Sequence, residues 1–396
     1  MASRPLPLSG TTVLALEQAL AGPLCTRHLG DMGARVIKIE RPGIGDFART
    51  YDTTVNGLSS YFAWLNRGKE SVSLDLKHSH AADVLRRLLA ASDVVVQNLA
   101  PGAVDRLGVG AAAVLAADPR KIYCSISGYG AGGPYEQRKA FDLLLQGETG
   151  VIATTGNDAG MAKLGISVGD IGAGVYGAMA IIAALYERER SGRGQHVQSS
   201  LFDALAEWMG YPLYYTMYGG QPPARAGVRH ATVVPYGAYR CGDGDQVLLA
   251  VQTEIQWRSF CTAVCERQEW IDDPRFATVS NRRLNRNDLE PMIEATFAAL
   301  SRSEVTSRLE VADIPYGDLN TIEQFSRHPQ LEARDRWQEI GTPGGTMQAL
   351  LPPFDLDGRK PAMGDIPAVG EHTDDVLQEL GFSENEITSF RDSGAM

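Results

Sequence analysis

The chain has 396 residues, 44% of them apolar, and a formal net charge of −11, enough apolar side chain to fill one large core or two ordinary ones. With no run of about five like charges and no Lys/Arg-rich tract, an extended nucleic-acid footprint is excluded, so an anionic ligand has to be held by a few local cations. The five cysteines (Cys25, Cys124, Cys241, Cys261, Cys265) form no CxxC pair and suit a reducing compartment; neither they nor the seven histidines show metal-ligand spacing, so no metal is expected.

The N-terminal "MASRPLPLSGTTVLALE" lacks the charged start and apolar stretch of a signal peptide. The longest apolar run, Val175 to Tyr186, falls short of the ~20 residues of a membrane helix. A soluble protein of the cytoplasm, away from membranes, is the expectation.

Along the chain, "TTVLAL" (11–16) reads as a strand, "GPLCTRHLGDMG" as a helix with Pro23 near its start, and "RVIKIE" (35–40) as the next strand, one βαβ unit. The alternation continues through "SVSLDL" (71–76), a helix over His80 to Ala91 with Val84, Leu85, Leu88 and Leu89 on one face, and the strands "DVVVQN" and "KIYCSIS". Apolar strands alternating with helices predict an α/β fold with a largely parallel sheet covered on both faces. After Leu201 the pattern breaks at "YPLYYTMYGGQPPARAG". Beyond it, "VVPYGAYRC" and "QVLLAVQ" flank "GDGD", a hairpin signature, and helical segments follow near 254–266 and 288–310. The expected layout is a large domain over 1–200, a linker over 201–225, a small α+β domain over 226–325, and a Pro-punctuated return with a last helix over 326–396.

Asp170 opens the stretch "GDIGAGVYGAMAIIAALYERERSGRG". An aspartate suits a helix N-cap; it is also a carboxylate that is ionised at neutral pH and needs no base to act as a nucleophile. The small residues after it (Gly172, Ala173, Gly174, Gly177, Ala178) permit close approach of either a ligand or another helix. Arg41, Lys77 and Asn98 follow predicted strands, with Arg106 and Lys139 further on. Singly each is a solvated surface group. Together they suit a large anionic ligand with separated phosphates, because open α/β sheets bind ligands beyond the carboxyl ends of their strands. No GxGxxG follows the first strand and no P-loop occurs; "GYGAGGP" (128–134) reads as a loop. His230, beside Arg229 and near Arg225, is either a surface histidine or part of a carboxylate site.

Six segments, "LALEQALAGPLCTRHLGDMGARVIKIERPGIGD", "NRGKESVSLDLK", "DVVVQNLAPGAVDRLG", "IYCSISGYGAGGPY", "GDIGAGVYGAMAIIAALYERERSGRGQHVQSSLFDA" and "IPYGDLNTIEQFSRHPQLEARD", together resemble the class III CoA-transferase family, in order and nearly end to end. The resemblance implies that Asp170 takes an acyl group as a mixed anhydride and then CoA as a thioester. It implies that Leu20, Arg41, Lys77, Asn98, Leu99, Arg106, Lys139 and Phe141 contact coenzyme A, which enters as acyl-CoA substrate with no metal. It further implies an interlocked homodimer, with a Rossmann-like large domain built from both chain ends and a smaller middle domain.

Racemases of the same family carry a proton-transfer histidine where this chain has Phe141, before Asp142. Phe cannot serve as an acid or base, which disfavours the racemase alternative. A non-catalytic CoA-binding scaffold is the other alternative, and the intact Asp170 speaks against it. Leu20 replaces a Gln of formyl-CoA transferase, and "RHATVVPYG" resembles members that handle four- or five-carbon dicarboxylates such as itaconate, mesaconate, citramalate, malate or succinate. Arg225, Arg229 and His230 are the residues available for a distal carboxylate.

Overall fold

In the computed structural model, which describes residues 4–396, the predicted alternation becomes β1 (Thr12–Leu16), α1 (Ala21–Asp31), β2 (Arg35–Glu40), α2 (Ser60–Leu65), β3 (Lys69–Ser73), α3 (Ala81–Ala91), β4 (Val94–Gln97), β5 (Ile122–Ser127), α4 (Asp142–Glu148), α5 (Val168–Ser191), β6 (His196–Ser200) and α6 (Leu201–Trp208). The six strands form one parallel sheet in the order β3-β2-β1-β4-β5-β6. Strand order reverses between β1 and β4, and such a switch point opens a crevice at the carboxyl ends of the strands. Central β1 is buried on both faces, from Val13 through Leu16, which is why it reads as a continuous apolar run and not an alternating one.

Two units divide the chain. The first comprises residues up to Thr149, Gly165–Met209 and Glu332–Met396; the second comprises Gly150–Leu164 and Gly210–Leu331. In the first, Leu14, Ile37 and Val72 of the sheet and Val84, Leu85 and Leu88 of α3 share one core with Val376, Leu377 and Phe390 from the last two helices. The second unit is built on the antiparallel hairpin Tyr236–Arg240 and Gln246–Ala250. Its core gathers Tyr239, Trp257, Phe260, Phe276 and Phe297.

Two expectations need correction. Residues 150–164, placed by sequence with the large domain, cluster with the second unit, where Gly227 N–H donates to Gly156 O at 2.8 Å. The apolar run also understates its helix: α5 has 24 residues and a mean hydropathy of 1.7 over its most apolar stretch, enough by length and composition to cross a bilayer. Of that stretch 56% is buried inside the protein, so packing accounts for its apolar character.

Candidate active site

Asp170 lies in the first turn of α5 but does not cap it, contrary to the N-cap reading. The capping oxygen comes from elsewhere: Asp142 Oδ1 accepts the Gly169 N–H at 2.7 Å, while Gln146 Nε2 donates to Asp142 Oδ2 at 2.6 Å. Among the described residues no side-chain hydrogen bond or ion pair holds Asp170. Burial, and after it the nearby Asp142 carboxylate, push its pKa from 3.8 up to about 7. The result is a carboxyl poorly served by solvent and, among the described residues, unneutralised by a cation, so that near neutral pH it is only about half ionised, where its ordinary value predicts full ionisation.

The small residues behind it serve packing and not ligand clearance. A Cβ at Gly174 would stand 2.7 Å from Ala21 O, and one at Gly177 3.2 Å from Ile126 Cδ1. At Gly172 it would stand 3.0 Å from Ala204 Cβ. Helix α5 therefore lies in close contact with α1 on one side and α6 on the other, and the register of these glycines fixes where its first turn stands. Leu20, at the entry to α1, is buried with Leu24 and Leu65, and Ile171 packs on that cluster. A residue that sequence reading missed stands nearby. The Tyr51 phenol is pushed up by burial and then by the carboxylates of Asp46 and Asp170, and its ring meets Phe47 and Tyr61 at centroid distances of 5.8 and 5.6 Å. Nothing in the local sequence "FARTYD" marks Tyr51 out; only the tertiary fold brings it near Asp170.

The other predicted residues divide into free and committed groups. Arg41 directly follows β2, Lys77 follows β3, Arg106 ends the short helix Ala103–Arg106, and Lys139 lies in a later loop; all four are exposed. Among the described residues none of them forms an ion pair, so their charges are open to an anion. Phe141 is exposed and immediately precedes Asp142. Leu99, half-buried, packs on the core between sheet and α3.

Asn98 is committed: its Oδ1 accepts from Gln18 N–H and its Nδ2 donates to Gln18 O, both at 2.8 Å. It braces the loop after β1 with its oxygen and one of its two amide N–H groups. In the second unit Arg229 is likewise spent, held by Glu290 at 2.6 Å and by Glu294. His230 Nδ1 accepts from the Thr232 and Val233 N–H groups, and the ring stacks on Tyr236. Arg225 gives only its Nε–H to Asn157 O, at 3.2 Å. Of the three residues nominated for a distal carboxylate, Arg225 alone has a guanidinium with uncommitted terminal nitrogens.

A family model described as CoA-transferase family III matches residues 8–373. The chain belongs to CoA-transferase family III. It is 33% identical over 402 residues to the succinate–glutarate CoA-transferase of Agrobacterium fabrum, covering 98% of this chain and 99% of that protein. It is 30% identical to the formyl-CoA:oxalate CoA-transferase of a Bradyrhizobium strain, with 98% and 97% covered. The crystal structure of a CAIB/BAIF family protein from Brucella suis superposes with a TM-score of 0.82 at 32% identity, covering 95% of this chain and all of that one. As a family III CoA-transferase the protein is an enzyme whose substrates are CoA thioesters.

Proposed function

We propose that this CoA-transferase moves CoA from an acyl-CoA, succinyl-CoA foremost, to a four- or five-carbon dicarboxylate, with Asp170 as the covalent relay. The observation that carries it is the unpartnered, half-buried Asp170 at the start of α5. Attack of its carboxylate oxygen on the thioester carbonyl breaks the C–S bond, giving an acyl-aspartyl anhydride and CoA thiolate. The thiolate then attacks the aspartyl carbonyl, releasing the donor carboxylate and leaving an aspartyl-CoA thioester. The acceptor carboxylate repeats the sequence in reverse, and its acyl-CoA leaves with Asp170 regenerated. Backbone N–H groups of the first turn of α5 suit the developing oxyanion. The unpaired Arg41, Lys77, Arg106 and Lys139 suit the phosphates of CoA. The relatives named for succinate and glutarate support a dicarboxylate acceptor, glutarate included.

Incubation with succinyl-CoA and hydroxylamine tests the relay: a hydroxamate at Asp170, found by mass spectrometry and absent from Asp170→Ala, is expected. No adduct, together with no exchange for any dicarboxylate, overturns the reading. A donor–acceptor panel then ranks the acids, and oxalate used as well as the five-carbon diacids would remove the dicarboxylate assignment.

A homodimer completes the proposal. Helix Gly210–Gly219 buries none of its residues within the chain and exposes Tyr211, Leu213, Tyr214, Met217 and Tyr218, an apolar surface that a second copy would cover. Sedimentation as a monomer at micromolar concentration contradicts it. Five free, buried cysteines accord with a reducing, cytoplasmic setting.

A further inference from the structure

The loop that joins β1 to α1, at the carboxyl edge of the sheet, is clamped from two sides. Asn98 grips the backbone of Gln18 on one side. On the other, Ala19 N–H donates to Asp46 Oδ1 at 3.1 Å. Ala19 sits at φ +63°, a left-handed conformation that a residue with a Cβ keeps only when its surroundings impose it.

Asp46 is itself firmly placed. Its Oδ2 holds Lys38 Nζ at 2.8 Å, its Oδ1 also accepts the Ala48 N–H at 2.9 Å, and its own N–H donates to Glu40 Oε1 at 2.8 Å. The Lys38 side chain is wholly buried, with Glu17 Oε1 as a second partner at 3.5 Å. Burial opposes its charge, but the carboxylates of Asp46, Glu17 and Glu40 outweigh burial and leave its pKa raised, so the pair is ionic. After Ala19 comes Leu20, whose cluster receives Ile171, the residue next to Asp170. A continuous path of contacts thus runs from Lys38 through Asp46, Ala19 and Leu20 to the neighbour of the nucleophile.

We propose that Asp46 is a positioning residue for Asp170: the oxygen that accepts the Ala19 N–H locks the left-handed turn, and the turn seats Leu20 against Ile171. Asp46 acts through the turn, and its own carboxylate is spent on Lys38 and backbone. The inference rests on Asp170 being the acyl acceptor, and wild-type trapping by hydroxylamine tests that premise separately.

Asp46→Ala removes the acceptor and is expected to lower kcat about 100-fold, the scale of a ~1 Å misplacement of a reacting group. KM for succinyl-CoA should stay within about twofold, because the loss falls on the transition state and not on binding. Asp46→Asn keeps an acceptor oxygen but loses the charge facing Lys38, so it should recover most of kcat while Tm falls. A merely structural role would move kcat and Tm together. Adding Ala19→Gly to Asp46→Ala should restore kcat, since glycine holds φ +63° without steric cost. If Asp46→Ala does not fold, Ala19→Val leaves every buried charge in place, opposes the turn directly, and should lower kcat similarly. Amide hydrogen exchange over residues 17–20 reads the turn without any assay of activity, and faster exchange in Asp46→Ala is expected. Unchanged kcat in Asp46→Ala or in Ala19→Val, or no rescue by Ala19→Gly, overturns the proposal even where wild-type Asp170 is trapped.

Discussion

Asp170→Asn should make the protein more stable at neutral and alkaline pH. In the folded chain Asp170 titrates near 7 against an ordinary value of 3.8, so between those pH values the folded state keeps a proton that the unfolded state has released. The contribution of that retained proton is fully present below about pH 4 and is lost as pH rises towards 7. At about 1.4 kcal/mol per pKa unit the displacement amounts to on the order of 4 kcal/mol, an upper figure because the group is partly exposed and solvent screens it. Asparagine has nearly the same shape and never ionises, so the variant escapes the penalty. With an unfolding entropy of ~2.1 cal/mol/K per residue, that energy corresponds to roughly 5 °C in Tm for a chain of this length. Calorimetric melting of both proteins from pH 4 to pH 8 checks it: the difference in Tm should be near zero at pH 4, grow as pH rises, and level off above pH 7. Parallel melting curves at every pH would refute the placement of Asp170 in a desolvated, cation-free site.

Three further outcomes follow from the same contacts. Asp142→Asn keeps an oxygen for the Gly169 N–H but removes the charge beside Asp170, so the rising limb of kcat/KM against pH should move to lower pH. The move should be less than the full displacement, since burial is the larger cause. Gly174→Ala places a Cβ 2.7 Å from the backbone oxygen of Ala21; despite alanine's better helix propensity it should destabilise by about 1–3 kcal/mol, read by denaturant unfolding. Lys77→Ala and Arg106→Ala should each raise KM for the CoA substrate about fivefold with kcat unchanged, an effect that shrinks with added salt. Arg229→Ala should leave that KM alone and lower Tm instead, because it leaves Glu290 and Glu294 without their shared partner.

How far the sequence could be read depended on the range of the interaction. The strands of the sheet and α3 were legible because apolar periodicity is a local signal: the helix expected from His80 begins at Ala81, and the strand expected over 71–76 lies two residues earlier, over Lys69–Ser73. The charged residues beyond the strand ends were legible for the same reason, since chain order alone places Arg41 and Lys77 at one edge of a parallel sheet. What failed were inferences that assigned a partner from local rules. Asp170 met the local rule for a cap, yet Asp142, 28 positions earlier, supplies the oxygen. The glycines of α5 read equally as clearance for a ligand or for another helix, and only the contact of Gly174 with Ala21 decides for packing. Arg229 read as a free cation, and two glutamates some 60 residues away consume it.

The same distinction explains why Asp170 stands out physically as well as by resemblance. A carboxylate kept only for stability gains from a cap or a salt bridge, as Asp142 and Asp31 do here. Among the described residues Asp170 has neither, and its partial burial costs stability at neutral pH. The neighbouring framework is, by contrast, heavily satisfied: Glu17, Lys38, Glu40, Asp46, Arg49 and Lys69 exchange hydrogen bonds and ion pairs almost without exposure. The fold neutralises those six charges in one network and, among the described residues, leaves the half-buried Asp170 unpaired on the first turn of α5. That asymmetry accords with the proposed role of Asp170 as covalent relay, and it disappears if Asp170→Asn proves no more stable than the parent protein.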